Sequence, residues 1–544
     1  MKKKRRCSAP PPPARLPSFF LRMYSVLQKK HLKSSLFRCA AHVAPLKSGM
    51  IFLGIDCGTQ STKTVAVDAA DGRVLAHASS PYDVIEGLPA GHMEQHPKLW
   101  VDAMDATVAQ VLAKLGNRRR EVAGIGISGQ QHGFVPLDKE GAVIRPAKLW
   151  CDTSTAAECD EFRAKLGGKE ALLKLIGNDM LPGWTAPKIL WLKNKEPHNF
   201  ARLAHILLPH DYLNYHLTGA FTMEYGDASG TALLDVRTRE WSEPVLDAIA
   251  PGLADKLPVP GSSKRAAGVL KSSLAKQWNL PEGVIISAGG GDNMMGAIGT
   301  GNTSPGVVTG SLGTSGTIFA CASEPIIDPD GEIAAFCDST DAWMPLLCTM
   351  NVTVATETFR DLFAWPLEEL EAAVTSVPAG ANGLLFLPYL QGERTPNLPN
   401  ATGVLHGMRP GNTTPAHLAR AAMEGATLGL AYGLQRLRAL GLTPSEIRLT
   451  GGGSKSPAWR QLCADVFNCQ VVTMSNSEGA ALGAALQALA TALSERTIAE
   501  WTGMLVTVNE AERAEPNASN HAIYAALLEK QTALTRCLAG CNWL

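Results

Sequence analysis

One local pattern occurs twice in the chain. IFLGIDCGTQSTKTVAV, Ile51–Val67, is an apolar run, a turn rich in Gly, Ser and Thr, and a second apolar run. PGVVTGSLGTSGTIFACA, Pro305–Ala322, repeats it with Gly310, Ser311, Gly313, Thr314, Ser315 and Gly316 in the turn. A strand–turn–strand unit used once in each half predicts an internal duplication. With 544 residues the chain also exceeds what a single hydrophobic core supports, so at least two domains are expected.

Between and around these units the elements alternate. GRVLAHASSPY extends the first hairpin into an antiparallel meander, PKLWVDAMDATVAQVLAKL has helical spacing, and VAGIGISG is a buried strand ending in a glycine turn. The class is therefore α/β, with chemistry-bearing segments at strand ends. A hydrophobic content of 45% with 6% aromatics suits it, and no apolar run reaches the length that spans a membrane.

The formal net charge of zero hides an asymmetry. Residues 1–49 hold twelve Lys or Arg and no acid, which leaves 38 basic against 50 acidic residues in the remainder. An acidic body argues against a nucleic-acid surface. The head reads as an over-extended translation start, because Met50 directly precedes the first strand, or as a transit-like extension. Twelve scattered Cys with no C-x-x-C pair point to reduced thiols and a cytoplasmic location, with organellar import as the alternative. Cys57 reads as a small filler.

The two turns suit polyphosphate. Small residues admit phosphate oxygens to backbone N–H groups, and Ser and Thr hydroxyls add donors. The G-x-x-x-x-G-K-S/T loop is absent. Asp56 in the first loop would repel phosphate unless a cation bridged them, which predicts Mg²⁺. A third element, IRLTGGGSKSPAWRQLCADVFNCQVV, runs from a short strand through Gly451, Gly452 and Gly453 into a helix beginning near Pro457, capped by Ser454 or Ser456. Bare glycine backbone there suits a purine or ribose. Two aspartates follow glycine in similar settings: Asp292 in VIISAGGGDNMMGAIGTG and Asp227 in EYGDASGTALLD. Either meets the need of phosphoryl transfer for a base near the acceptor hydroxyl, and spacing alone does not separate them.

In their order, the D-x-G-T-type loop, SLGTSG and TGGGSKSPAWRQ resemble the FGGY carbohydrate kinase family, from about Ile51 to Leu489. GWTAPKILWLKN resembles the family's first signature, with Lys195 departing from the polar residue usual at its end. GLLFLPYLQGERTPNLPNATGVLHGM is similar to the xylulokinase branch. The resemblance implies an α/β fold of two actin-like (ribonuclease H-like) ATPase domains with a deep interdomain cleft. The expected boundaries are 1–49 for the extension, 50–301 for the sugar and phosphate-loop domain, 302–495 for the ATP domain and 496–544 for a helical tail.

Carried over residue by residue, the resemblance assigns Asp292 as proton acceptor and leaves Asp227 as a helix cap or pocket wall. Asp56 joins Asp292 in catalysis and in holding Mg²⁺. ISGQQHGFV matches the sugar-contacting turn, making Gln131 and His132 substrate ligands together with Asp292. ATP is expected on Gly58, Thr59, Gly313, Thr314, Gly452 and Gly453. Trp150, Asp152, Glu94 and Gln95 line the sugar site or hold its loops, Arg394 pairs with phosphate or braces a turn, and Lys63 reads as structural.

The implied reaction moves the γ-phosphoryl group of ATP to D-xylulose, giving xylulose 5-phosphate. The alternatives are another sugar or polyol kinase of the family, acting on ribulose or glycerol, and an actin-like switching ATPase. HLARAAMEGATLGLAYGLQRLRAL reads as core, with a homodimer interface as the other option.

Overall fold

A computed structural model describes residues 49–476 and 478–544. The reading of the basic head falls on residues 1–48 and lies outside the described residues.

The first half contains β1 (Ile51–Cys57), β2 (Ser61–Asp68), β3 (Val74–Pro81), α1 (Pro97–Leu115) and β4 (Val122–Gly129). α2 (Thr185–Lys195), α3 (Pro209–Thr218) and α4 (Tyr225–Ser229) follow, then β5 (Ala266–Val269), β6 (Ile285–Ser287), β7 (Gly290–Gly291) and α5 (Asp292–Gly299). α1 begins at Pro97, whose missing N–H costs nothing there, and buries Trp100, Met104, Val108, Val111 and Leu115 at helical spacing. Its sheet runs β5-β6-β4-β1-β2-β3, with β7 extending along β4.

The second half contains β8 (Val307–Leu312), β9 (Gly316–Ala320), β10 (Ala334–Cys337), β11 (Trp343–Thr349), α6 (Thr353–Leu362) and α7 (Pro415–Ala439). β12 (Glu446–Thr450), α8 (Pro457–Phe467), β13 (Val471–Met474), α9 (Gly479–Ala492), β14 (Val508–Ala514) and α10 (Ala518–Gly540) follow among its further elements. Its sheet runs β10-β11-β9-β8-β12-β13-β14.

The duplication is visible in strand pairing. β1 pairs antiparallel with β2 and parallel with β4; β8 pairs antiparallel with β9 and parallel with β12. The register makes Asp56 and Ser311 counterparts, each one residue before the last pair of its hairpin: Asp56 faces Lys63 and Ser128, Ser311 faces Thr317 and Thr450. One lobe thus offers a carboxylate where the other offers a hydroxyl.

The lobes meet through α5 and α9. α9, from the second half, packs against β1 and β4 of the first sheet and against α5. Small residues make the approach backbone to backbone: a Cβ on Gly54 would lie 1.8 Å from the Ala481 carbonyl oxygen, and one on Gly483 would lie 1.8 Å from that of Met295. Gln487 of α9 locks the crossing by accepting from the Gly289 N–H at 2.8 Å and donating to its carbonyl at 2.9 Å. α7 is core as expected, with its residues buried from Ala419 to Leu437 along most of its length. Among the described residues no helix is long and apolar enough to cross a membrane.

Candidate active site

A cavity of about 320 Å³ opens between the lobes. The first lobe contributes Gln131, His132, Trp150, Trp184, Asp292 and Asn293; the second contributes Ser311, Thr317, Phe336 and Arg394, among others. Gln131 and His132 therefore line the same cavity as Asp292, 160 residues further along the chain.

Strand pairing puts Asp292 there. β7 pairs Gly290 with Ser128 and Gly291 with Gly129, while β1 pairs Asp56 with the same Ser128, so the two carboxylates flank the end of β4 from either side. Gly291 is required by packing, since a Cβ would lie 2.6 Å from Gln131 Cγ. Asp292 Oδ1 accepts from the Asn293 N–H at 2.8 Å and from Asn293 Nδ2 at 3.0 Å. Burial, and next the neighbouring Asp56 charge, push the Asp292 carboxyl up to about 7 against those hydrogen bonds. Asp56 is also raised, by burial first, although Ser128 Oγ donates to its Oδ1 at 2.8 Å.

His132 stands in the left-handed region, φ 62°, at the turn after β4. Its carbonyl accepts from Lys188 Nζ at 2.7 Å and from Thr185 Oγ1 at 3.2 Å, both on α2, and its ring stacks on Trp184 at 5.3 Å. α2 thus clamps the turn that follows β4. Nδ1 lies 2.6 Å from the Gly230 carbonyl, which can only accept, so Nδ1 carries the proton and Nε2 is the acceptor. Burial, then Lys188, lower the imidazole to about 3, which keeps it neutral. Lys188 itself is buried and lowered to about 7 by burial.

The remaining candidates fall around this cavity. Thr59 Oγ1 accepts from Trp150 Nε1 at 2.9 Å and its carbonyl accepts from Gln95 Nε2 at 2.7 Å, so Trp150 and Gln95 brace the first loop. The Gly58 N–H donates to Ser61 O at 3.0 Å, closing the hairpin. In the second loop the carbonyls of Gly313 and Thr314 accept from Thr353 and Val352 at the start of α6. In the third, Gly452 faces open space while Gly453 packs on Leu312 and Trp459. Ser456 caps α8, accepting from the Trp459 N–H at 3.0 Å, with Pro457 as its first residue. Cys57 is buried, its thiol pushed up to about 12, and fills space as expected.

Other side chains lie apart. Glu94 and Asp152 pair with the buried Lys148 ammonium at 3.1 and 2.9 Å; with His92 they form a metal-like group that this ammonium fills. Lys63 sits on β2, 3.7 Å from Glu478, as a structural pair. Asp227 does not cap α4: Glu224, with a longer reach, accepts from the Gly226 and Asp227 N–H groups instead. Nor does Asp227 line the cavity; its Oδ2 lies 2.8 Å from His210 Nδ1.

Residues 51–299 match the N-terminal domain of the FGGY family of carbohydrate kinases, and residues 308–492 match its C-terminal domain. The chain belongs to the FGGY carbohydrate kinases. It is 42% identical over 486 residues to the xylulose kinase of Haemophilus influenzae, covering 88% of this chain and 98% of that protein. The crystal structure of a xyloylose kinase from Brucella ovis superposes with a TM-score of 0.85 at 30% identity, covering 90% of this chain and all of that one. A gluconate kinase from Lactobacillus acidophilus superposes with a TM-score of 0.84 at 25% identity, covering 90% and 98%.

Several residues of this FGGY cavity escaped the sequence reading. Asn293 follows Asp292 directly and was within reach of it; Trp184 lies inside the recognised signature. Arg394, read from the sequence as a phosphate partner or a turn brace, lines the cavity with its guanidinium 5.7 Å from the Trp150 ring. Phe336 arrives on β10, an edge strand with no motif.

Proposed function

We propose that this FGGY kinase transfers the γ-phosphoryl group of Mg-ATP to a hydroxyl of D-xylulose, with Asp292 as general base. The observation that carries this is one carboxyl, raised to about 7, together with Gln131 and the acceptor nitrogen of His132 in a cavity scaled to a small sugar. The xylulose kinase relatives favour that ketose.

The sugar lies against Gln131 and His132. His132 Nε2 accepts from a sugar hydroxyl, and Trp184 fixes the ring behind it. Asp292 takes the proton of the reacting hydroxyl as the oxygen attacks phosphorus, and Asn293 holds the carboxylate in line through Oδ1. Asp56 and Asp292 are two close hard-oxygen donors, each made costlier to ionise by burial, and so fit a divalent cation; Asp56 and Asp292 would hold Mg²⁺. Bound there, Mg²⁺ supplies charge neutralisation for the phosphates.

Residues 50–301 carry the sugar and the first phosphate loop, and residues 302–495 carry ATP. Gly58 and Thr59 take phosphate from one side, Gly313 and Thr314 from the other, while Gly452 and Gly453 form the floor under adenosine. Ser311 and Arg394 face the cavity from the second lobe, where a donor hydroxyl and a cation assist the transferring group. Closure of the lobes excludes water and limits hydrolysis of ATP.

Coupled ADP release with Mg-ATP tests this against D-xylulose, D-ribulose, L-ribulose, glycerol, gluconate and no sugar. Stimulation by D-xylulose above the rest is expected. Stimulation by gluconate instead would move the substrate, and turnover indifferent to every sugar would turn the reading to a switching ATPase.

A further inference from the structure

Asp211, His210 and Asp227 form a fully buried row behind the sugar site, each with no exposed surface. His210 Nε2 lies 2.9 Å from Asp211 Oδ1 and Nδ1 lies 2.8 Å from Asp227 Oδ2. Burial opposes the imidazolium, but the two flanking carboxylates outweigh it and raise the ring well above its ordinary value. Asp211 Oδ2 accepts from the Leu208 N–H at 3.1 Å, while its Oδ1 faces His210 Nε2 as an ion pair without hydrogen-bond geometry. Asp227 Oδ1 is buried and, among the described residues, has no hydrogen-bond partner.

The same is true of Gln131 Nε2. The two orphaned atoms belong to turns that touch, since His132, next to Gln131, sets its Nδ1 2.6 Å from the carbonyl of Gly230, three residues after Asp227. Burial raises the Asp227 carboxyl, and His210 and then Gln131 work against it. Gln131 Oε1 accepts from Asn293 Nδ2 at 2.9 Å, and that amide also donates to Asp292 Oδ1 at 3.0 Å. A flipped Gln131 would turn its NH₂ against the Asn293 NH₂, donor on donor, and its oxygen against a carboxylate.

We propose that Asp227 is a positioning residue of the sugar site: anchored by His210, it holds the Gln131 amide nitrogen inward and so presents the Gln131 oxygen to Asn293 and the sugar. This rests on the reading of Gln131 as a sugar ligand. Asp227 never touches the substrate; it sets which hydrogen-bonding atom the substrate meets. Such control is a charge effect, because an amide at position 227 can offer either face to Gln131, whereas a carboxylate only accepts.

The test is a cycle of Asp227→Asn, Gln131→Met and the double variant. Asp227→Asn is expected to raise KM for the sugar on the order of tenfold while KM for ATP stays put, because a misdirected buried amide forfeits a hydrogen bond. In the Gln131→Met background the same change should add little. An unchanged sugar KM, or an equal rise in both backgrounds, overturns the proposal.

If Asp227→Asn fails to fold, Gln131→Glu carries the test. A glutamic acid at 131 can donate to Asp227 only while protonated, in surroundings that already hold Glu224, Asp211, Asp292 and Asp56, with His210, Lys188 and Arg394 as the cations. Its kcat/KM for sugar, divided by that of the parent chain, should fall as pH rises; a flat ratio overturns the proposal. Any active sugar of the panel serves, so an inert D-xylulose strikes only the proposed substrate. Urea unfolding of the cycle reads the Gln131–Asp227 coupling with no sugar present, and strictly additive losses there count against it.

Discussion

Asp292 reconciles two demands that pull apart: a base must lose its proton near neutrality, yet a carboxylate beside Asp56 and away from water resists losing it. The outcome, about 7, predicts that kcat/KM for the sugar climbs through pH 7 and levels above it, which a pH–rate profile reads directly. Asp292→Asn should cost roughly 10²-fold or more in turnover with ATP binding nearly intact by titration. Stability should move the other way. The native carboxyl holds its proton above the ordinary 3.8, so the stabilisation it gives is complete below 3.8 and is lost as pH rises through about 7. Asp292→Asn therefore raises the melting temperature more at pH 8 than at pH 5. Local pattern made Asp292, Gln131 and His132 legible, since each ends an apolar strand in a glycine turn. Asp227 also follows a glycine, and the structure separates the two as the resemblance does: Asp292 emerges at the end of β4 across from Asp56, while Asp227 turns back toward His210.

At the scale of elements, the repeated hairpins were readable because a small-residue turn between apolar runs has few other uses, and the helix at Pro457 announced its own cap. The packing of α9 was not readable. NSEGAALGAALQALATAL reads as one more core helix, and nothing local says that the sheet it covers belongs to the other half. Its glycines are the consequence: a methyl on Gly483 would sit 1.8 Å from the Met295 carbonyl. Gly483→Ala should force the lobes apart, costing about 1–3 kcal/mol of stability and raising KM for both substrates. Gly503→Ala, in the helix Ile498–Leu505 with open space around the new Cβ, is the control and should be neutral or mildly stabilising. Thermal melts of the two variants decide this.

Taken whole, the molecule repeats one hairpin in its two halves, with Asp56 in one at the register position that Ser311 holds in the other. Each half lines only part of the cavity: one lobe brings Asp292, Gln131 and His132, the other brings Ser311, Thr317 and Arg394. The crossing of α9 onto β1 and β4 adds a constraint in time. The first sheet is made early, yet the helix that seals its face lies at residues 479–492, so a growing chain must keep that face uncovered until most of its length has been synthesised. A polypeptide ending at residue 301 should accordingly be insoluble when made alone and recovered when residues 302–544 are made beside it, the late-arriving half acting as the missing lid of the early one.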